Sequence, residues 1–98
     1  MSNYSYIIGG RSTGKTRKLL EHAKENNALV ICRNPAAMAR KAEAYGIFGL
    51  KFWGYDETVE YYCEEIYPES DFVIDEVKDF MDYLFAEKCV GFTQTEDD

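Results

Sequence analysis

The chain has 98 residues, 46% of them hydrophobic and 30% charged, which is room for one domain with one modest core and excludes a disordered composition. Its net charge of −7 joins two unlike halves: residues 1–49 carry eight Lys/Arg against three Asp/Glu, and residues 50–98 carry three against fifteen. That total excludes broad electrostatic binding of nucleic acid, because phosphate neutralisation supplies most of such affinity.

In chain order, Tyr4–Ile8 is short, aromatic and β-branched and ends at Gly9-Gly10, which predicts a buried strand and a turn. From Gly14 the spacing Thr16, Leu19, Leu20, Ala23 predicts a helix ended by Asn26-Asn27. Ala28–Cys32 is a second apolar run. Asn34-Pro35 supplies an N-cap and a first-turn proline for a helix that carries Met38, Ala39, Ala42 and Tyr45 and stops at Gly46. Leu50–Trp53 predicts a third, short strand. Val59, Tyr62, Cys63 and Ile66 share one helical face, closed by Pro68. Phe72–Ile74 predicts a strand ending on Asp75-Glu76, and Val77, Phe80, Met81, Leu84 and Phe85 give the best helical period of the chain. A last strand is predicted at Cys89–Phe92, followed by Thr93-Gln94-Thr95.

Strands alternating with helices of about ten residues predict βαβ units. The expected fold is α/β: a three-layer αβα sandwich on a mainly parallel sheet of four to five strands, with residues 1–98 forming a single domain. Ligands of such sheets bind at the carboxyl ends of strands. The conspicuous polar residues fall there: Gly9 to Thr16, Arg33, Asp75-Glu76 and Thr93-Gln94-Thr95.

No apolar run approaches the roughly 18–20 residues that span a bilayer. The first residues lack the basic and apolar regions of a signal peptide. Cys32, Cys63 and Cys89 are odd in number and without metal-ligand spacing. A reduced, cytoplasmic protein without membrane attachment is expected.

Gly9-Gly10-Arg11-Ser12-Thr13-Gly14-Lys15-Thr16 matches G-x-x-x-x-G-K-[ST]. Glycines let the backbone curl so that successive N–H groups face a phosphate. The helix opening near Gly14 adds its positive end. Lys15 supplies a charge for the β- and γ-phosphates, and Thr16 a hydroxyl ligand for Mg²⁺. The match follows an apolar strand and opens a helix, as this chemistry demands.

The segment from Tyr6 to Thr16 resembles the Walker A motif of P-loop NTPases, and Phe72-Val73-Ile74-Asp75-Glu76 resembles a Walker B strand. The paired acids resemble the division of that family with an additional catalytic glutamate. The resemblance implies Asp75 as the Mg²⁺ partner and Glu76 as the general base acting on water. It further implies a polar γ-phosphate sensor on the last strand, for which Gln94 is chosen, with Thr93 and Thr95 beside it. The order of segments is also similar to thymidine-kinase-like and helicase- or packaging-ATPase-like cores. The family's usual further strand and helix and a substrate lid are missing, and an arginine finger would come from another subunit, Arg11 or Arg33.

The remaining chemistry-bearing residues read as structural. His22 has no acid or cysteine at metal spacing, Arg17 and Lys18 read as solvated, and the cysteines read as small core residues. The aromatic stretch Phe48–Tyr67 fits core filling or an interface, and Trp53-Gly54-Tyr55 stands near a strand end where a base could stack. Two functions follow. The first is Mg²⁺-dependent binding and slow hydrolysis of a nucleoside triphosphate, ATP first, with a protein partner or second copy supplying missing elements. The alternative is a nucleotide-binding regulatory module whose acidic, aromatic second half engages a protein partner.

Overall fold

The computed structural model of the chain describes residues 14–86 together with residues 88, 90, 91 and 93. Seven elements follow in order: α1 (Lys15–Glu25), β1 (Leu29–Cys32), α2 (Pro35–Ala44), β2 (Phe52–Gly54), α3 (Tyr55–Cys63), β3 (Phe72–Ile74) and α4 (Val77–Phe85). The strands form one parallel sheet in the order β2-β1-β3. Ile31 stands opposite Trp53 on one side and Ile74 on the other.

Local chemistry sets the element ends. Gly14 precedes α1 at φ 88°, a conformation that glycine adopts without penalty. Asn26 closes the helix, and Asn27 turns the chain at φ 52°. Asn34 Oδ1 accepts from the Ala37 N–H at 3.1 Å, capping α2 ahead of Pro35. At α3 the Glu57 carboxylate accepts from the Gly54 N–H at 2.7 Å, and Asp56 and Glu57 set two acids in the first turn, where the helix dipole favours them.

The central strand has all four residues buried, as a parallel strand covered on both faces must. Leu20 and Ala23 of α1 and Met38 and Ala42 of α2 pack with Val30 and Cys32 on one face. Tyr55 of α3 packs with Leu29 and Ile31 on the other, joined by the half-buried Trp53, Ile74 and Phe80. The alternation of Leu29/Ile31 with Val30/Cys32 is the period of two that directs successive side chains to opposite faces. Helices therefore flank the sheet on both sides in an α/β domain.

The expected elements recur with adjustments. The second sheet strand is Phe52–Gly54, two residues later than the Leu50 start expected of it. α3 ends at Cys63 because the chain turns at Glu65 with φ 61°. Its buried residues are Tyr55 and Thr58, while Tyr62, Cys63 and Ile66, assigned to the inner face by spacing, are exposed. The helix begins four residues before Val59, which rotates the face that meets the sheet. The described residues supply three strands of the four to five expected. Tyr4–Ile8, Cys89 and Phe92 lie outside them, and Val90 and Gly91 stand in no helix or strand. No helix among the described residues is long and apolar enough to cross a membrane.

Candidate functional site

The carboxyl ends of β1 and β3 gather charged residues from distant parts of the sequence. Lys15, the first residue of α1, places Nζ 2.9 Å from Glu76 Oε1, across 61 positions of sequence. α1 is held against the sheet through the fully buried Leu20 and Ala23, so its first turn is presented at this edge. Glu76 follows β3 directly. The Asp75 N–H donates to the Ile31 carbonyl at 2.9 Å, carrying the β1–β3 pairing one residue past the strand. The chain then turns sharply: Glu76 adopts φ 56° and ψ 69°, a left-handed conformation that costs a non-glycine residue on the order of 1–3 kcal/mol.

That turn is fastened from below. The Tyr55 hydroxyl donates to the Asp75 carbonyl at 2.7 Å and lies 3.1 Å from the Glu76 carbonyl. Tyr55 is 3% exposed, and its ring packs on Phe80 at 4.9 Å between centroids. Burial, then the negative charge of Asp75, pushes its phenol upward and keeps it a protonated donor.

Electrostatics at this edge is mixed. Asp75 is half-buried, and its carboxyl is raised above the usual range by burial first and then by the charge of Glu76; Lys41 and Lys15 work in the opposite sense. Lys15 is raised by its hydrogen bond with Glu76 and then by that group's charge, so it stays a cation. Arg33, just past β1, approaches Asp79 in the first turn of α4 at 4.0 Å. The cluster thus holds two cations that face acids and one acid, Asp75, for which ionisation is costly.

Of the residues expected to act, Lys15, Asp75 and Glu76 come together. Gly14 and Thr16 flank Lys15, Gly14 exposed and Thr16 half-buried. Gly9, Gly10, Arg11, Ser12, Thr13, Gln94 and Thr95 lie outside the described residues, and Thr93 is exposed in no helix or strand. Among the described residues no group of three or more His, Cys, Asp or Glu stands ready to hold a metal ion. A Mg²⁺ held here would have to draw on Thr16, Asp75, water and phosphate oxygens, a hard-oxygen set that suits that ion.

Other residues fall into place outside the cluster. His22 stands 3.4 Å from the Asn26 amide through its Nδ1. Arg17 pairs with Glu21 and lies over the Tyr45 ring. Cys32 is buried, and burial pushes its thiol up to about 11, which suits a core residue. Trp53 does not reach the charged edge. It lines a groove of about 580 Å³ with Lys24, Lys51 and Tyr67, at the amino ends of the strands. The sequence reading missed Tyr55 as a hydrogen-bond donor to the turn and Asp79 as a member of the cluster. Both had a signal: each sits in the first turn of a helix that directly follows a strand, which puts it at the carboxyl edge.

No protein-family model, curated protein or solved structure matches the chain.

Proposed function

We propose that the carboxyl edge of the sheet binds a nucleoside triphosphate with Mg²⁺ and hydrolyses it slowly, as in a minimal P-loop NTPase. The observation that carries this reading is the 2.9 Å contact between Lys15, the cation of the Gly-rich motif, and Glu76, which follows Asp75 after an apolar strand. The contact brings the two sequence motifs, 61 residues apart, to one edge of the sheet, as a shared site requires.

The helix layout supports the same reading, because a parallel sheet covered on both faces is the kind that binds ligands at the carboxyl ends of its strands. Parallel crossovers keep one hand, so steps in opposite directions put their helices on opposite faces. The step from β1 to β2 carries α2 on the Val30 face, and the reverse step from β2 to β3 carries α3 on the Ile31 face. α1 shares the face of α2.

Lys15 serves as a fixed cation for the β- and γ-phosphates. Taking up phosphate oxygens in exchange for Glu76, it frees that carboxylate to accept a proton from the attacking water. The Gly-rich backbone amides and the N-terminal end of α1 hold the phosphate charge. Mg²⁺, bound through Thr16 and, by way of water, Asp75, would supply neutralisation of the phosphate charge. The unfavourable ionisation of Asp75 makes it a group that gains from a nearby cation. Without an arginine finger in the described cluster free of an acid neighbour, turnover is slow, since such a residue contributes roughly 10³–10⁵ in rate.

Thermal melting tests the binding half. Ligand at about a hundred times its dissociation constant adds roughly 2.7 kcal/mol, and each kcal/mol moves the midpoint of a domain this small by about 4–8 °C. Saturating Mg²⁺–ATP is expected to raise the midpoint by about 10 °C or more. No shift with any nucleoside triphosphate up to millimolar concentration overturns the reading.

A further inference from the structure

We infer that Tyr55 is a positioning residue of this site, whose hydroxyl holds the Asp75–Glu76 turn in the conformation that directs the Glu76 carboxylate to Lys15. The inference rests on the triphosphatase reading for its kinetic consequence. The backbone geometry it describes stands apart from that reading.

Three observations carry it. Glu76 occupies a left-handed conformation with a side chain that does not favour it, so something must hold it there. α4, which follows at once, reaches the Glu76 carbonyl through the Phe80 N–H at 3.1 Å but packs loosely: none of its residues is fully buried, and Val77 next to the turn is 48% exposed. The Tyr55 hydroxyl donates its one proton to the Asp75 carbonyl at 2.7 Å, with the Glu76 carbonyl 3.1 Å away. Tyr55 itself is fixed by burial against Leu29 and Ile31 and by its packing on Phe80.

The arrangement works as a lever with a rigid base. Tyr55 opens α3 directly after β2, so its hydroxyl reaches under β1's neighbour from the far side of the sheet. Tyr55 ties the Asp75 carbonyl, in the peptide that leads into Glu76, and the Glu76 carboxylate projects toward Lys15 of α1. Loss of the tie lets Glu76 relax toward ordinary φ, and the carboxylate leaves the reach of Lys15. A displacement of about 1 Å at a reacting group can cost as much as 100-fold in rate. Binding, which depends on Lys15 and the Gly-rich loop, does not pass through this tie.

The test compares wild type, Tyr55→Phe, Glu76→Gln and the double variant, all well below their melting points. Tyr55→Phe keeps the ring and removes only the hydroxyl. It is expected to lower phosphate release at saturating Mg²⁺–ATP by about tenfold or more, with the dissociation constant changed less than about twofold. Residues acting through one group are not additive, so the double variant should release phosphate no more slowly than Glu76→Gln alone. A general loss of structure would instead weaken binding and rate together. Equal rates for wild type and Tyr55→Phe, or a full additional loss in the Glu76→Gln background, overturn the role of Tyr55 and leave the triphosphatase reading intact.

Backbone NMR decides the matter if wild type binds nucleotide without hydrolysing it, which sinks the triphosphatase reading alone. A positive φ at Glu76 gives a strong amide–Hα NOE within that residue. It should be present in wild type and lost in Tyr55→Phe; its persistence in the variant overturns the inference. Should Tyr55→Phe fail to fold, wild type still answers: its Tyr55 hydroxyl proton must be protected from solvent exchange, and rapid exchange overturns the tie.

Discussion

The two faces of the sheet are built differently, and the site draws one partner from each. On the Val30/Cys32 face, Leu20, Ala23, Val30 and Cys32 are all at 1% exposure or less, and α1 is anchored there through Leu20 and Ala23. On the Leu29/Ile31 face the buried cluster is three residues, completed by the half-buried Trp53, Ile74 and Phe80. Its outer helix, α4, leaves Val77, Tyr83, Leu84 and Phe85 exposed. Lys15 therefore stands on a rigid platform, while Glu76 stands on a thin one that depends on a hydrogen-bonded tyrosine. In the proposed reading, a phosphate cradle would benefit from the first kind of support. In the proposed triphosphatase, a carboxylate that changes partner during turnover would benefit from the second.

Thiol chemistry gives the widest contrast. Cys32, sealed in the first face with its thiol raised to about 11, should be protected from a disulfide reagent at pH 8 by on the order of 10³-fold or more relative to Cys63, which is exposed. Labelling followed by peptide mass spectrometry checks this. Comparable labelling of the two in the native protein would break the contrast.

Truncation should then separate the helices. Leu20→Ala empties a closed space and is expected to cost about 2–5 kcal/mol, seen as a melting midpoint lower by on the order of 10–30 °C. Leu84→Ala, on a residue 44% exposed, should cost about 1 kcal/mol or less. Similar losses from the two would show that α4 is held as firmly as α1.

A smaller effect concerns Asp75. Its raised carboxyl means that the folded protein holds a proton more tightly than the unfolded chain. The folded state binds more protons from about pH 4 up to the folded value, so stability falls as pH rises through that window and stays lower at neutral pH. Asp75→Asn removes the ionisation and should melt a few degrees higher than wild type at pH 7. The gap should close below about pH 4. A variant less stable than wild type at pH 7 would mean that the carboxylate is held by favourable contacts instead.

The sequence made the first face legible and left much of the second hidden, for a physical reason. α1 and α2 announce themselves through local chemistry: Gly14 before the first, Asn26-Asn27 after it, and Asn34-Pro35 at the start of the second. β1 is a pure apolar run, as a strand buried on both faces must be. α3 carries its signal in Tyr55 and Thr58, a tyrosine and a threonine that hydrophobic spacing does not count as a core face. The Thr58 hydroxyl donates to the Gly54 carbonyl at 2.6 Å, which lets it be buried. The site divides in the same way. Gly14-Lys15-Thr16 and Asp75-Glu76 can be named from motif and order alone. The left-handed turn at Glu76 and the Tyr55 hydroxyl beneath it depend on a tertiary contact between residues 20 positions apart, which no local pattern encodes.

Phosphate release by wild type, Lys15→Ala and Glu76→Gln, with nucleotide affinity measured separately, decides whether this edge of the sheet hydrolyses nucleotide. Lys15→Ala should weaken Mg²⁺–ATP binding itself. Glu76→Gln should bind Mg²⁺–ATP as wild type does and lose about 10²–10⁴-fold in hydrolysis, the usual contribution of a positioned acid–base group. If wild type binds ATP yet releases phosphate no faster than Glu76→Gln, the pairing of Lys15 with Glu76 serves binding alone and the chain is a nucleotide-binding module.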